Sequence, residues 1–328
     1  MKRDTNAEKT RPMKSMPNPQ SKDETASATL WIILALVSHT TWGSYSVFAR
    51  YLQNHHHLGP LSISALANAL AFCLLTIFTR KKLNLKSLPA KEILIYAAIV
   101  IGRNLLNLYA ARYTYAINVQ LMALLAPFIV AYISKIFLKE TLPPRTKPAL
   151  IFCFLGSIFM ILGGQSDVQA KDRLSNWLGI GLSLLAGVFL AVLMLEIKRL
   201  NRKGATAETI AFYQFGPLSA FMFLASFTIK EDWQPWSNLT LPGILAFLYF
   251  AFIVLLLGTV LQNRGIAKLG AAAYTTLQAS RLVSAILFSW LILGEGIQSI
   301  AQALGALIVI ATITWYTLPK KLQPPAAA

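Results

Sequence analysis

The chain has 328 residues, 55% of them hydrophobic and 13% charged, with a mean hydropathy of +0.55, which is too apolar for a soluble globular domain of this length. Lysine and arginine outnumber aspartate and glutamate by 30 to 13, a net charge of +17. In a soluble protein that excess would point to nucleic acid; in a chain this apolar it records topology, because cytoplasmic loops collect basic residues. The composition therefore describes an integral protein of a lipid bilayer with no nucleic-acid partner.

Residues 1–28 are polar, contain proline and lack periodicity, so they read as a disordered cytoplasmic tail. The first apolar run is too long for a signal peptide, and Asp4, Glu8, Asp23 and Glu24 argue against an organelle transit peptide. Ten apolar runs follow, at 30–49, 61–79, 93–111, 116–138, 149–164, 177–195, 208–228, 242–262, 271–293 and 299–317. Each approaches the roughly 20 residues that a helix needs to cross a hydrocarbon core. Lipid offers backbone groups no partner and the alternation of barrel strands is missing, so the spans are expected to be helices. Residues 318–328 form a C-terminal tail. With the N-terminus inside, 22 Lys and Arg fall on the cytoplasmic side and five (Arg50, Arg112, Lys171, Arg173, Lys230) outside. That imbalance puts both termini in the cytoplasm of a bacterial cell membrane. Cys73 and Cys153 lie in apolar runs and read as packing residues, not as a disulfide or zinc pair.

The chain also repeats itself. "APFIVAYISKIFLKE" at 126–140 matches "RLVSAILFSWLILGE" at 281–295 when Glu140 is laid on Glu295, and a glycine-containing span follows each. A unit of five spans is odd, so the second copy lies inverted. The expected fold is thus all-α, integral to the membrane, with ten transmembrane helices as two inverted five-helix repeats, 29–164 and 177–317. Inverted repeats are an architecture of secondary transporters, which rock two halves around a site near the midplane.

These segments, with "WGSYSVFARY" in the first span and "GIAKLGAAAYTTLQASRLVSAILFSWLILGE" in the second repeat, resemble the EamA-type members of the drug/metabolite transporter superfamily. The resemblance covers nearly all of the chain after residue 28. It implies ten helices, cytoplasmic termini and movement of small metabolites, often efflux of amino acids or related compounds. One departure stands out: near Pro127 of the first repeat, the second carries Arg281.

Arg281 and Arg103 sit mid-span, where a charge is costly and ordinarily faces a protein interior or a watery cavity. The acids from Glu92 onward lie at span ends (Glu92, Glu140, Glu196, Glu208, Glu295) or in loops (Asp167, Asp172, Glu231, Asp232), and none is central. A ligand is then the natural source of negative charge, and arginine binds carboxylate or phosphate bidentately. The competing reading is that both arginines only lock helices by hydrogen bonds to carbonyls and to Asn104, Asn107 or Gln278. Asn107, one turn after Arg103, and Gln278, three residues before Arg281, extend the candidate site. Asn68, Tyr213 and Gln214 are further candidates, and Trp42 supplies a stacking or cation–π wall. His39 is a candidate carrier of a coupling proton as well as a binding residue. The histidines of "NHHHL" at 54–58 could catch a metal, but no required metal or cofactor is expected. Glu140 and Glu295 are expected to orient the helices that follow them.

Enzyme motifs and ATP-binding loops are missing from the sequence. The sequence therefore favours a secondary transporter of small anionic or zwitterionic metabolites, with amino-acid-like export as the leading case. The alternatives are a phosphorylated-metabolite or organic-anion exchanger, and a receptor or scaffold that binds without transport.

Overall fold

The computed structural model describes residues 20–138, 145–164 and 170–317, and the regular structure among them is helical. In chain order the helices are α1 Gln20–Asn54, α2 Pro60–Thr79, α3 Ala90–Tyr113, α4 Ala116–Ala123, α5 Ala126–Leu138 and α6 Thr146–Gly163. They continue as α7 Ala170–Arg202, α8 Ala207–Thr228, α9 Leu241–Leu248, α10 Gly258–Thr276, α11 Ala279–Phe288 and α12 Ile300–Thr317. A π-helical stretch, Tyr249–Leu257, joins α9 to α10, and another, Ser289–Leu293, extends α11.

Eight segments among the described residues are long and apolar enough to cross a membrane. The ninth and tenth predicted spans appear as the shorter apolar helices Ala279–Leu293 and Ile300–Tyr316. Large apolar side chains such as Phe78, Leu94, Leu224 and Ile300 stay exposed, as helices facing lipid require. The chain is an all-helical, multi-pass membrane protein.

Local sequence departs from the simplest reading in two places. Residues 20–28, expected to belong to the disordered tail, are helical and continue α1. Residues 1–19, 139–144, 165–169 and 318–328 lie outside the described residues, and with them most of the N-terminal tail, Glu140, Asp167 and the C-terminal tail.

The other departure is that the predicted spans 116–138 and 271–293 are broken rather than continuous. The first breaks at Leu124 and Leu125, where Leu125 N donates to the Met122 carbonyl and Phe128 N to the Leu125 carbonyl, in i→i+3 turns. Pro127 brings the break about, because it lacks an N–H and crowds the carbonyl four residues earlier. In the second, Leu277 and Gln278 form the turn, with Ser280 N donating to Leu277 O and Arg281 N to Gln278 O. Gly270, at φ +81, separates this segment from the preceding span, a conformation that glycine adopts without steric cost. The breaks fall just before the two matching segments, two residues out of register when Glu140 is laid on Glu295.

The most extensive helix pairings are α6 with α12, α3 with α7, α2 with α8, and α1 with α10 and α11. Helices α6 and α12 meet at Gly156 and Gly305, where a Cβ on Gly305 would lie 2.6 Å from the Gly156 carbonyl oxygen. Small residues at such crossings let backbones approach in lipid. Loop acids are put to structural use: the Glu231 carboxylate accepts from the backbone N–H groups of Leu61 (3.0 Å) and Ser62 (2.6 Å) and so caps α2.

Candidate functional site

The candidate site gathers around Trp42, which lines two small cavities. Trp42 lies on α1 and is buried, and the next residue, Gly43, lets α11 come so close that a Cβ there would stand 2.5 Å from the Arg281 carbonyl oxygen. From the middle of α3, the Arg103 guanidinium carbon lies 4.9 Å from the Trp42 ring centroid; from the first turn of α11, that of Arg281 lies 5.6 Å from it. Arg281 is 2% exposed and Arg103 9%. Neither takes part in any of the five ion pairs among the described residues, and Arg281 Nε has no hydrogen-bond partner.

Two small cavities adjoin this cluster and share Trp42, Arg103 and Asn107. One also takes in Arg281, with Gln120 of α4 and Ser183 and Gly187 of α7. The other takes in Tyr45, Asn68, Asn104 and Gln214. Each has a volume of about 10 Å³, room for roughly one water molecule, so this conformation is closed around its polar lining.

The predicted site residues divide into three groups. Trp42, Asn68, Arg103, Asn107, Gln214 and Arg281 line one or both cavities. Gln278 and His39 stand close to the cavity-lining residues in sequence without lining a cavity. Gln278 is fully buried in the turn before α11, with both amide atoms unpartnered. His39, one turn before Trp42, holds the Tyr274 carbonyl at 2.8 Å through Nε2 and packs on the Tyr274 ring. Tyr213 is elsewhere: its hydroxyl donates to the Leu85 carbonyl at 2.8 Å. On α8 it is adjacent to Gln214 and so projects in a different direction.

Asn68 donates to the Ser64 carbonyl at 2.7 Å and leaves its Oδ1 unpartnered. Gln214 accepts from the Tyr96 hydroxyl at 3.1 Å. The helix-locking reading of the arginines named backbone carbonyls and Asn104, Asn107 or Gln278 as partners; of these, Asn104 Oδ1 accepts from Ser64 Oγ at 2.7 Å and the Gln278 amide is unpartnered.

Sequence reasoning missed Gln120 and Tyr45. Gln120 Nε2 donates to the Trp42 carbonyl at 3.1 Å and to Ser46 Oγ at 3.3 Å, tying α4 to α1 just before the break at 124–125. The signal was a lone amide in an apolar run. Tyr45, three residues after Trp42 on the same helix face, has a buried hydroxyl without a partner.

Ion pairs stand beyond the cavity at both ends of the helices. At the C-terminal ends of α1 and α3, Arg50 donates to Glu295 at 2.7 Å and to the Thr114 carbonyl at 2.6 Å. Glu295, expected to orient the next helix, thus binds α1 instead. At the other end of α3, Glu92 pairs with Lys203 of the α7 end, and Glu208 with Arg264. His55, His56 and His57 border a 420 Å³ cleft with Asp232. Partial burial, followed by the two neighbouring histidines, holds the His56 imidazole below its ordinary range. No group of three or more His, Cys, Asp or Glu among the described residues is arranged to hold a metal.

Two parts of the chain, residues 29–162 and 177–318, match the EamA-like transporter family. The chain is 25% identical over 244 residues to the "Uncharacterized transporter YyaM" of Bacillus subtilis, covering 74% of this chain and 78% of that protein. It is 26% identical over 215 residues to the "Pseudopaline exporter CntI" of Pseudomonas aeruginosa, covering 63% and 70% respectively. A solved crystal structure, 14% identical, superposes with a TM-score of 0.65 over 88% of this chain and 97% of that one, a likeness of fold.

Proposed function

Because this chain belongs to the EamA-like transporter family, and is therefore a secondary small-molecule carrier of the membrane rather than an enzyme, we propose that it exports a small organic metabolite bearing an anionic or zwitterionic group. The size is that of an amino acid, and the mode is alternating access. One observation carries the reading: two buried guanidiniums without ion-pair partners, Arg103 midway along α3 and Arg281 in the first turn of α11, face one cavity beside an indole. In a family that moves metabolites, intramembrane charge of this kind marks the pathway. The direction is supported by the exporter among the relatives.

The architecture of this reading is ten spans in two inverted repeats, with both termini cytoplasmic. It is supported by the matching segments, their two mid-span breaks and the 22-to-5 distribution of basic residues. Substrate entry then requires one end to open. The Arg50–Glu295 pair closes the exterior end, and the Glu92–Lys203 and Glu208–Arg264 pairs close the cytoplasmic end. Proton coupling through His39 would protonate a ring nitrogen, Nδ1, that has no acceptor.

Counterflow in proteoliposomes with labelled amino and organic acids tests the proposal, and the absence of any flux would leave the receptor or scaffold reading in its place. Arg281→Ala is expected to lower flux roughly tenfold or more, the consequence of losing a charged hydrogen bond of about 1.5–3 kcal/mol. Arg112→Ala, at an exposed position of α3, should stay within about twofold. Unchanged flux in Arg281→Ala would remove that residue from the site.

A further inference from the structure

The electrostatics of the cavity extend this reading to the charge of the substrate. Arg103 and Arg281 face one cavity with Trp42, and none of the acids among the described residues lines that cavity or its neighbour. The carboxylates at the helix ends are already engaged, Glu92 with Lys203, Glu208 with Arg264 and Glu295 with Arg50. Unpartnered groups beside the guanidiniums are able to donate: Arg281 Nε–H, Trp42 Nε1–H and the Tyr45 hydroxyl. An entering molecule is therefore offered two positive charges and a set of donors, in an interior where charge is weakly screened.

A single carboxylate neutralises one guanidinium. A zwitterion does worse, since its ammonium adds a third cation to a cavity that has no carboxylate to receive it. The amides of Asn68 and Asn107 accept hydrogen bonds from such a group but neutralise nothing. Two negative charges on the ligand match the two arginines, each of which presents a planar fork suited to carboxylate or phosphate oxygens. The amide-lined cavity across Trp42 suits hydroxyl or carbonyl groups of the same ligand.

We propose that the transported species is a small dianion, a dicarboxylate or a phosphate monoester, and that zwitterionic amino acids are poor substrates. This rests on the cavity being the substrate site, and it narrows the anionic-or-zwitterionic class to its anionic part.

Binding to the purified full chain, followed by calorimetry at about pH 7.5 with succinate, glycerol 3-phosphate, monomethyl succinate, L-glutamine and L-alanine, tests it. Succinate or glycerol 3-phosphate should bind at least about tenfold more tightly than the other three probes, and the tighter of the two identifies the dianion class. In Arg103→Gln the preference for dianion over monomethyl succinate should fall to within about threefold. Arg103→Lys, which keeps the charge, should retain it, so that loss of folding in one variant is told apart from loss of charge. L-glutamine or L-alanine binding as tightly as succinate, with the binding still lost in Arg281→Gln, would overturn the dianion proposal and leave the cavity as the site. Binding of no probe, or binding indifferent to both arginines, would overturn the cavity reading and the proposal with it.

Discussion

A guanidinium at bilayer depth costs roughly 2.5–3.5 kcal/mol on insertion scales, and a desolvated cation–π contact returns about 2 kcal/mol or more. Trp42, within 4.9 and 5.6 Å of two such groups, offsets much of that cost for both. Trp42→Leu should therefore lower the melting temperature by the equivalent of about 2–4 kcal/mol and weaken ligand binding, while Trp42→Phe, which keeps a ring, should lose about half as much. Identical melting of both variants and the native chain would show that the arginines are stabilised elsewhere. At His39, the partner of Nε2 is a carbonyl, which only accepts, so Nε2 carries the proton and the neutral ring already makes its bond. His39→Gln keeps a donor at that place. Its flux should show the native pH dependence between about pH 6 and 8; a shifted profile would make His39 a proton carrier.

Contacts between helices explain why these side chains meet. A Cβ on Gly43 would stand 1.9 Å from Ser284 Oγ and 2.5 Å from the Arg281 carbonyl oxygen, so Gly43→Ala has to push α11 away and take Arg281 with it. At the Gly156–Gly305 crossing a Cβ on Gly305 would likewise stand 2.6 Å from a carbonyl oxygen, but neither glycine belongs to the cavity-lining set. Overpacking of this kind costs about 1–3 kcal/mol. The two variants should separate: Gly305→Ala lowers the melting temperature and leaves ligand affinity unchanged, whereas Gly43→Ala lowers both. Gly181→Ala, with nothing within 4 Å, serves as the control. Equal affinity loss in Gly43→Ala and Gly305→Ala would mean that the site senses general loosening rather than the position of α11.

Over the whole molecule, the cavity lies between two sets of ion pairs. α3, 24 residues and about 36 Å long at 1.5 Å per residue, has Glu92 near one end and delivers the Thr114 carbonyl to Arg50 just past the other. Breaking one end should expose the cavity to that side only. With Cys73 and Cys153 replaced and Ala123→Cys as reporter, Glu295→Gln is expected to increase labelling by a membrane-impermeant thiol reagent added outside. Glu92→Gln is expected to increase it in inverted vesicles. Increased labelling from the same side in both variants would break the two-ended closure and the proposed orientation together.

The sequence alone determined that this is a helical, multi-pass membrane chain with two matching segments, because lipid imposes long apolar runs and a charge bias that are written residue by residue. It also marked Arg103, Arg281 and Trp42, since a charge or an indole amid an apolar run is visible without coordinates. Only the tertiary structure decided that one indole lies beside both guanidiniums, that Gln120 and Tyr45 join them, and that Tyr213 turns to Leu85. Those outcomes depend on helix rotation and on close approach at glycines such as Gly43, which arise between segments distant in the chain. The breaks at 124–125 and 277–278 show the same division: Pro127 announces the first, whereas nothing as plain as a proline announces the second, which places Arg281 in the first turn of a new helix.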